Sequence, residues 1–299
     1  MAYHIPALLD ESIKGLNIRP DGVYVDATFG GGGHSREILR HLITGRLIAF
    51  DTDEDAAANS INDERFTFLN QNFRFLRNNL RYLGIDSADG VIADLGVSFH
   101  QFDEPSRGFA FRYDAELDMR MSRGMTTKAS DLLASLTEEE LSRLFREYGE
   151  LPGSGRIAKV IVSAREKAPL KSAGDLKSAV EHLVPARHQN KFFAKLFQAL
   201  RIRVNNELDS LKELLEQSAG VLNKGGRLVV ITYHSLEDRL VKNYMRAGNF
   251  TGEVPKDFFG RSDTILRPVT KKAITPSEEE LERNSRARSA RLRIAEKTK

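Results

Sequence analysis

Along the first hundred residues, short runs of β-branched and aromatic side chains alternate with longer stretches whose apolar positions recur at helical spacing. The runs at 23–27, 46–50, 66–69 and 90–93 predict buried strands, and 35–43, 54–61 and 75–83 predict the helices between them. After Asp94 the alternation stops for about a hundred residues, long enough for a small domain of its own. Amphipathic helices are predicted there at 137–148, 156–166, 173–183 and 191–203, separated by Gly and Pro signals at 149–155, Pro169 and Pro185. The sheet pattern then resumes. A helix at 207–222, stopped by the Asn-Lys-Gly-Gly run at 223–226, leads into the strand 227–233, and Ala290, Leu292 and Ile294 alternate with Arg291 and Arg293 in a last, half-exposed strand at 289–295. The whole reads as an α/β fold: a doubly wound, Rossmann-like parallel sheet, helices on both faces, interrupted by a small helical insertion. The domains are drawn at 1–104, 105–205 and 206–299.

In such a sheet, ligands sit at the carboxyl ends of the strands, and the stretch there is VYVDATFGGGGHS at 23–35. Four glycines after a strand and before a helix start allow a close backbone approach to a bound molecule. Two phosphate-binding readings fail on counting. A G-x-G-x-x-G fingerprint begun at Gly30 meets Ser35 where the third glycine belongs, and a P-loop would need a lysine where His34-Ser35 stands. The acids around the loop point elsewhere. Asp26 closes the first strand and Asp51 the second, an order that suits a nucleoside with a cationic head: Asp51 accepting ribose hydroxyls, Asp26 holding the loop open. A plainer reading, in which both only cap turns at strand ends, stays open.

Composition bounds the partners. There is no cysteine, the seven histidines are scattered without ligand spacing, and no structural metal is expected. No run approaches a membrane span, and the first sixteen residues read as an amphipathic helix rather than a signal peptide, so a cytoplasmic location is expected. The net charge of +3 is unevenly placed: residues 151–206 carry eleven Lys/Arg against three Asp/Glu, and residues 283–299 seven against one. Regional excess of this kind is either a solvated face or the footprint of a polyanion. Arg286 and Arg288 are open to the same two readings. At 233–238, Ser235 followed by Asp238 matches a capping box. His234, just before it at a strand end, is either structural or a hydrogen-bonding group near the reacting atoms.

Taken in order, DATFGGGGHS (26–35), AFDTD (49–53), DLGVSFHQFD (94–103), RGFAFR (107–112), LDMRM (117–121), FQALRIRVNNEL (197–208), TYHSLEDR (232–239) and NSRARSARLRIAE (284–296), with HIPALLDE at 4–11, closely resemble the ribosomal RNA small subunit methyltransferase H family, also called MraW. The resemblance covers nearly the whole chain, insertion included. It implies a class I S-adenosylmethionine-dependent methyltransferase with an inserted helical substrate-recognition domain. It further implies rRNA methylation at the exocyclic N4 amine of a cytidine in the decoding region of 16S rRNA, with 16S rRNA or the small ribosomal subunit as partner. Carried over by motif, cofactor contacts fall on Gly32, Gly33, His34, Asp51, Phe73, Asp94 and Gln101. Phe73 suits an adenine flank or a core contact.

Cytosine's amine is a poor nucleophile, so the chemistry needs an acceptor for its N–H and in-line placement. Asp94, Ser98 and His234 are the candidates to orient the amine or take its proton. Asp94 stands where many amine-directed methyltransferases have an Asp/Asn-Pro-Pro-aromatic loop, without the prolines. The basic insertion is the expected RNA clamp, with Arg107, Arg112 and Arg120 open to phosphate contact, although Arg120 could equally pair with Asp114, Glu116 or Asp118. Phe99 replaces the family's second serine in Leu-Gly-Val-Ser-Ser, the LPGSG run at 151–155 departs from the usual helical start, and Ser285 replaces the proline of Asn-Pro-Arg. None of these touches a carried-over cofactor contact, so activity is expected to be retained. The rival from another class is a non-catalytic RNA-binding or ribosome-assembly factor with a vestigial methyltransferase fold.

Overall fold

The computed structural model describes residues 6–255, 258–259 and 264–299, the side chain of Phe99 excepted. His4 and Ile5 of the first motif, and the ring at position 99, lie outside the described residues. The chain forms two compact units, one from Met1–Gly96 with Leu208–Lys299 and one from Val97–Glu207.

In chain order, α1 (Leu9–Leu16), β1 (Val23–Asp26), α2 (Gly33–His41), β2 (Arg46–Phe50), β3 (Phe66–Leu69), α3 (Leu76–Tyr82) and β4 (Ala88–Asp94) come first. The second unit holds α4 (Phe99–Asp103), α5 (Ala129–Ser135), α6 (Glu138–Glu147), α7 (Ser154–Arg165), α8 (Ala173–Val180) and α9 (Ala186–Asn205). The first is completed by α10 (Glu207–Val221), β5 (Leu222–Thr232), α11 (Ser235–Ala247), β6 (Leu266–Pro268), α12 (Glu278–Arg283) and β7 (Arg291–Lys297). The seven strands form one sheet in the order β3-β2-β1-β4-β5-β7-β6. The first five are parallel, whereas β7 runs antiparallel to both β5 and β6.

Alternation along each strand feeds a separate core on each face of the sheet. Val25, Ile48, Val91, Leu228 and Val230 face Leu76 and Leu80 of α3, Leu211 and Leu215 of α10, and Val241 of α11. Their strand neighbours Tyr24, Leu47, Ile92, Val229 and Ile231 face Leu16 of α1 and Ile38 of α2, together with Leu292 of β7. Each fully buried aliphatic side chain contributes about 1.5–3 kcal/mol. Both faces being covered explains why these strands read as continuous apolar runs.

Several expectations need correcting. The helix expected at 54–61 is a short 3₁₀ turn, Glu54–Asn59, opened by Asp53 as its cap. The Asn-Lys-Gly-Gly stop at 223–226 is already strand, because α10 passes directly into β5; the extra length is taken up by a register irregularity opposite Ala88 and Gly90, with Gly225 at φ 81°. The strand β6 was not foreseen, since a three-residue edge strand ending in Pro268 shows no alternation. The all-parallel sheet becomes a mixed one at β7 and β6. The basic face foreseen for β7 is neutralised: Arg293 Nε lies 2.7 Å and Arg291 Nη1 3.6 Å from the Asp238 carboxylate.

The second unit has its own core, with Phe145 of α6, Ile161 of α7, Leu176 of α8 and Leu196 and Leu200 of α9 buried against Leu133 of α5. The LPGSG run does not delay α7, which begins at Ser154 behind Gly153 at φ 72°. Its entry loop is held from inside. Arg107 is buried and donates to the Arg120 and Met121 carbonyls, and Asn205 donates to the Met119 carbonyl and accepts from the Met121 amide. Arg120 pairs with Asp118 at 2.7 Å, and Arg112 with Asp103 at 2.7 Å. The phosphate reading is therefore withdrawn for Arg107 and Arg120, whose guanidinium groups the loop itself uses.

Ile92 is fully buried at the centre of the sheet. Ile92→Ala is expected to lower unfolding free energy by about 2–5 kcal/mol in urea denaturation, and a cost below about 1 kcal/mol would contradict the packing described.

Candidate cofactor site

The carboxyl edge of β1, β2 and β4 gathers acids that the fold makes costly to ionise. Asp26 ends β1 at 1 % exposure; its carboxylate accepts from the Thr28 amide at 3.1 Å and the Ser35 hydroxyl at 2.7 Å. Burial raises its pKa to about 6 despite those two bonds. It thus ties the strand end to the first turn of α2 and sets the path of the glycine loop between them.

That loop is shaped by backbone constraints. Gly32, at φ 74°, is the N-cap of α2, and a side chain on Gly33 would put its Cβ 2.2 Å from Pro6 Cγ. The Gly30 amide donates to Asp51 at 2.7 Å, Arg36 donates to the Gly31 carbonyl at 2.6 Å, and Asn59 to the Gly30 carbonyl at 3.0 Å. The first turn of α2 has no acidic residue and no side-chain cap. Its leading amides are thus suited to a ligand carboxylate.

Asp51 follows β2. One carboxylate oxygen accepts from Gly30 and the other from the Asp53 amide at 2.8 Å. Burial, with repulsion from Asp53 and Asp26, outweighs those bonds and raises its pKa to about 6. Each oxygen keeps a second lone pair for a hydroxyl donor. Turn capping and ligand binding, set as alternatives in the sequence, are compatible at this residue.

Asp94 ends β4. Its amide donates to the Thr28 hydroxyl oxygen at 2.6 Å, and one carboxylate oxygen accepts from the Tyr233 hydroxyl at 2.8 Å. The other lies 3.9 Å from His34 Nδ1. Burial raises its pKa to about 7, opposed by the Tyr233 bond and reinforced by Asp26 and Glu237. The side chain keeps 22 % exposure, so the carboxyl remains reachable. Burial also lowers the His34 pKa to about 4, which leaves that ring neutral at physiological pH.

The other expected residues take varied places. Phe73 opens a 3₁₀ turn after β3 and packs, half-buried, on the sheet core. Ser98 and Gln101 belong to the second unit and cap α4 reciprocally: the Gln101 amide donates to Ser98 Oγ at 3.2 Å, and the Ser98 amide to Gln101 Oε1 at 3.1 Å. The capping box expected at Ser235 and Asp238 sits one residue earlier. His234 is the N-cap of α11 and Glu237 the reciprocal acid, its Oε1 3.1 Å from His234 Nε2. Sequence reading passed over Thr28, Ser35 and Tyr233. All three lie inside the quoted motifs, but nothing in their spacing signals that they meet Asp94 and Asp26.

The sequence profile of the MraW methylase family matches residues 1–298. Proteins named Ribosomal RNA small subunit methyltransferase H from Flavobacterium johnsoniae and Bacteroides thetaiotaomicron are each 52% identical over 298 residues, 99% of this chain and 98% of theirs. The chain belongs to the MraW methylase family. A solved Streptococcus mutans putative methyltransferase in complex with SAH is 13% identical, with a TM-score of 0.45 over 98% of this chain and 99% of that one, too distant to add weight. With membership come the class I methyltransferase fold and the S-adenosylmethionine cofactor. The site suits that group on its own terms: buried and half-buried carboxyls with no Lys or Arg among the causes of their pKa shifts would favour a ligand carrying a sulfonium and an ammonium, and the uncapped amides of α2 would favour its carboxylate. Among the described residues, no helix is long and apolar enough to cross a membrane.

The three carboxyls titrate near pH 6–7 in the folded chain against an ordinary value of 3.8. The folded protein therefore holds more protons between those limits, and the stability these groups contribute at acidic pH is lost as pH rises through about 7. Asp94→Asn is expected to flatten the fall in urea midpoint of the cofactor-free protein between about pH 5 and pH 8. A profile parallel to that of the unaltered protein would contradict the burial of this carboxyl.

Proposed function

We propose that this protein methylates the N4 amine of a cytidine in the decoding region of 16S rRNA, acting on the rRNA or the small ribosomal subunit. The observation that carries the reading is Asp94: a reachable carboxyl at the end of β4, aimed by Tyr233, whose pKa of about 7 suits a proton acceptor at physiological pH. The names of the relatives support the rRNA of the small subunit as the substrate class.

S-adenosylmethionine supplies an electrophilic methyl group when bound. In this reading, the Gly32 and Gly33 backbone and the start of α2 would receive its carboxylate, Asp51 would take the ribose hydroxyls, Phe73 would flank the adenine and His34 would complete the cradle; Gln101 is carried as a cofactor contact by its motif alone. Asp94 would accept an N–H of the cytosine amine and take the proton released when that nitrogen's new bond to the methyl carbon replaces the carbon–sulfur bond of the sulfonium, which would leave as a neutral thioether. The Tyr233 hydroxyl fixes which oxygen faces the amine, leaving the other as acceptor. Ser98 keeps its O–H as a donor while its oxygen caps α4, and His234 steadies Glu237, whose carboxylate accepts from the Tyr233 amide at 2.9 Å. Retention of Gly32, Gly33, Asp51 and Asp94 favours the enzyme over a vestigial binding factor.

Single-turnover methylation of small subunits, with nucleoside mass spectrometry of the product, tests this. Asp94→Asn is expected to slow transfer about 10²–10⁴-fold. Product other than N4-methylcytidine, or unaltered rates in both Asp94→Asn and His234→Ala, would overturn it.

A further inference from the structure

The second unit carries a groove of about 710 Å³ between α7 and α8 and the turns that follow them. Arg156 and Lys159 enter it from α7, at i and i+3, and Lys167 enters from the turn beyond the helix. All three are exposed, and none makes an ion pair or side-chain hydrogen bond among the described residues. Val160, Ala164 and Leu170 give the groove an apolar floor.

Most of the unit's other cations are engaged in its own structure. Arg165 donates to the Leu133 and Leu136 carbonyls, Lys128 pairs with Glu116, and Arg201 with Glu207. The acid in the groove is likewise engaged, since the Asp175 carboxylate accepts from the Lys171 and Ser172 amides at the start of α8. His182 is the remaining titratable group lining it, and its ring adds no negative charge.

We infer that this groove binds a single strand of RNA, with Arg156, Lys159 and Lys167 on successive phosphates and the apolar floor under the sugars and bases. Cations beside an apolar track are the features that hold single strands without reading their sequence. The inference rests on the substrate class proposed above and assigns part of its recognition to one face of the helical unit. A duplex would gain little here, because the apolar floor reaches bases only when they are unpaired.

The test is fluorescence anisotropy of a labelled single-stranded 16S rRNA fragment, titrated with the full chain at several salt concentrations. The triple variant Arg156→Glu, Lys159→Glu, Lys167→Glu is expected to bind at least about tenfold more weakly. Its slope of log affinity against log salt should be shallower by about 2, as for three lost single-strand phosphate contacts. Melting temperature and S-adenosylmethionine binding should stay unchanged, and a control triple on the other unit, Lys14→Glu, Arg81→Glu, Lys242→Glu, should lose less than twofold. Unaltered affinity and slope in the groove variant, or equal loss in the control, would overturn the inference alone. Failure of the unaltered protein to bind the RNA would likewise overturn the inference, while the substrate reading stands or falls by the methylation of small subunits.

Discussion

The site depends on the cost of burying carboxyl groups at the carboxyl ends of parallel strands. The sheet order places β1 between β2 and β4, so Asp26, Asp51 and Asp94 converge where three strands end. Each is raised to a pKa of about 6–7 by burial, and no Lys or Arg is among the causes of the three shifts. Their partners are instead hydroxyls and backbone amides: Thr28, Ser35, Gly30, the Asp53 amide and Tyr233. Such bonds orient a carboxyl without neutralising it. A fold that keeps three acids short of counter-charge at one edge is built to receive positive charge there, and the family's cofactor brings it.

The same bonds that aim the acids also shape the loop. Asp51 holds the Gly30 amide, Asp26 holds Ser35 in the first turn of α2, and Thr28 joins the loop to β4 through the Asp94 amide. Changing one acid therefore alters both the charge and the geometry of the cradle. The second unit works by a different economy. Its entry loop folds around Arg107, Arg120 and Asn205, and its surface keeps Arg156, Lys159 and Lys167 unengaged.

Much of this was legible in the sequence, and the failures are local. The ranges 46–50 and 66–69 coincide with β2 and β3, because short apolar runs between turn residues leave a buried strand little room to shift. The acids at the strand ends and the glycine loop were equally plain. The capping box was read one residue late because His234 with Glu237 and Ser235 with Asp238 have the same spacing. The ion pairs of Asp238 with Arg293 and Arg291 show which acid is occupied elsewhere. The basic stripe of β7 misled for the same reason: a charge pattern on one strand does not reveal an acid on a neighbouring helix. Tyr233 and Thr28 were missed because contacts 139 and 66 residues apart leave no local period.

Proton release on cofactor binding tests the central claim most directly. Isothermal titration with S-adenosylmethionine at about pH 6.5, in buffers of differing ionisation enthalpy, reads the protons that a cation bound nearby would displace by lowering the pKa values of Asp26, Asp51 and Asp94. Binding is expected to release protons at that pH, and the release should fade above about pH 8, where the carboxyls are already ionised. Binding with no proton release near pH 6.5, or with net uptake, would contradict the account.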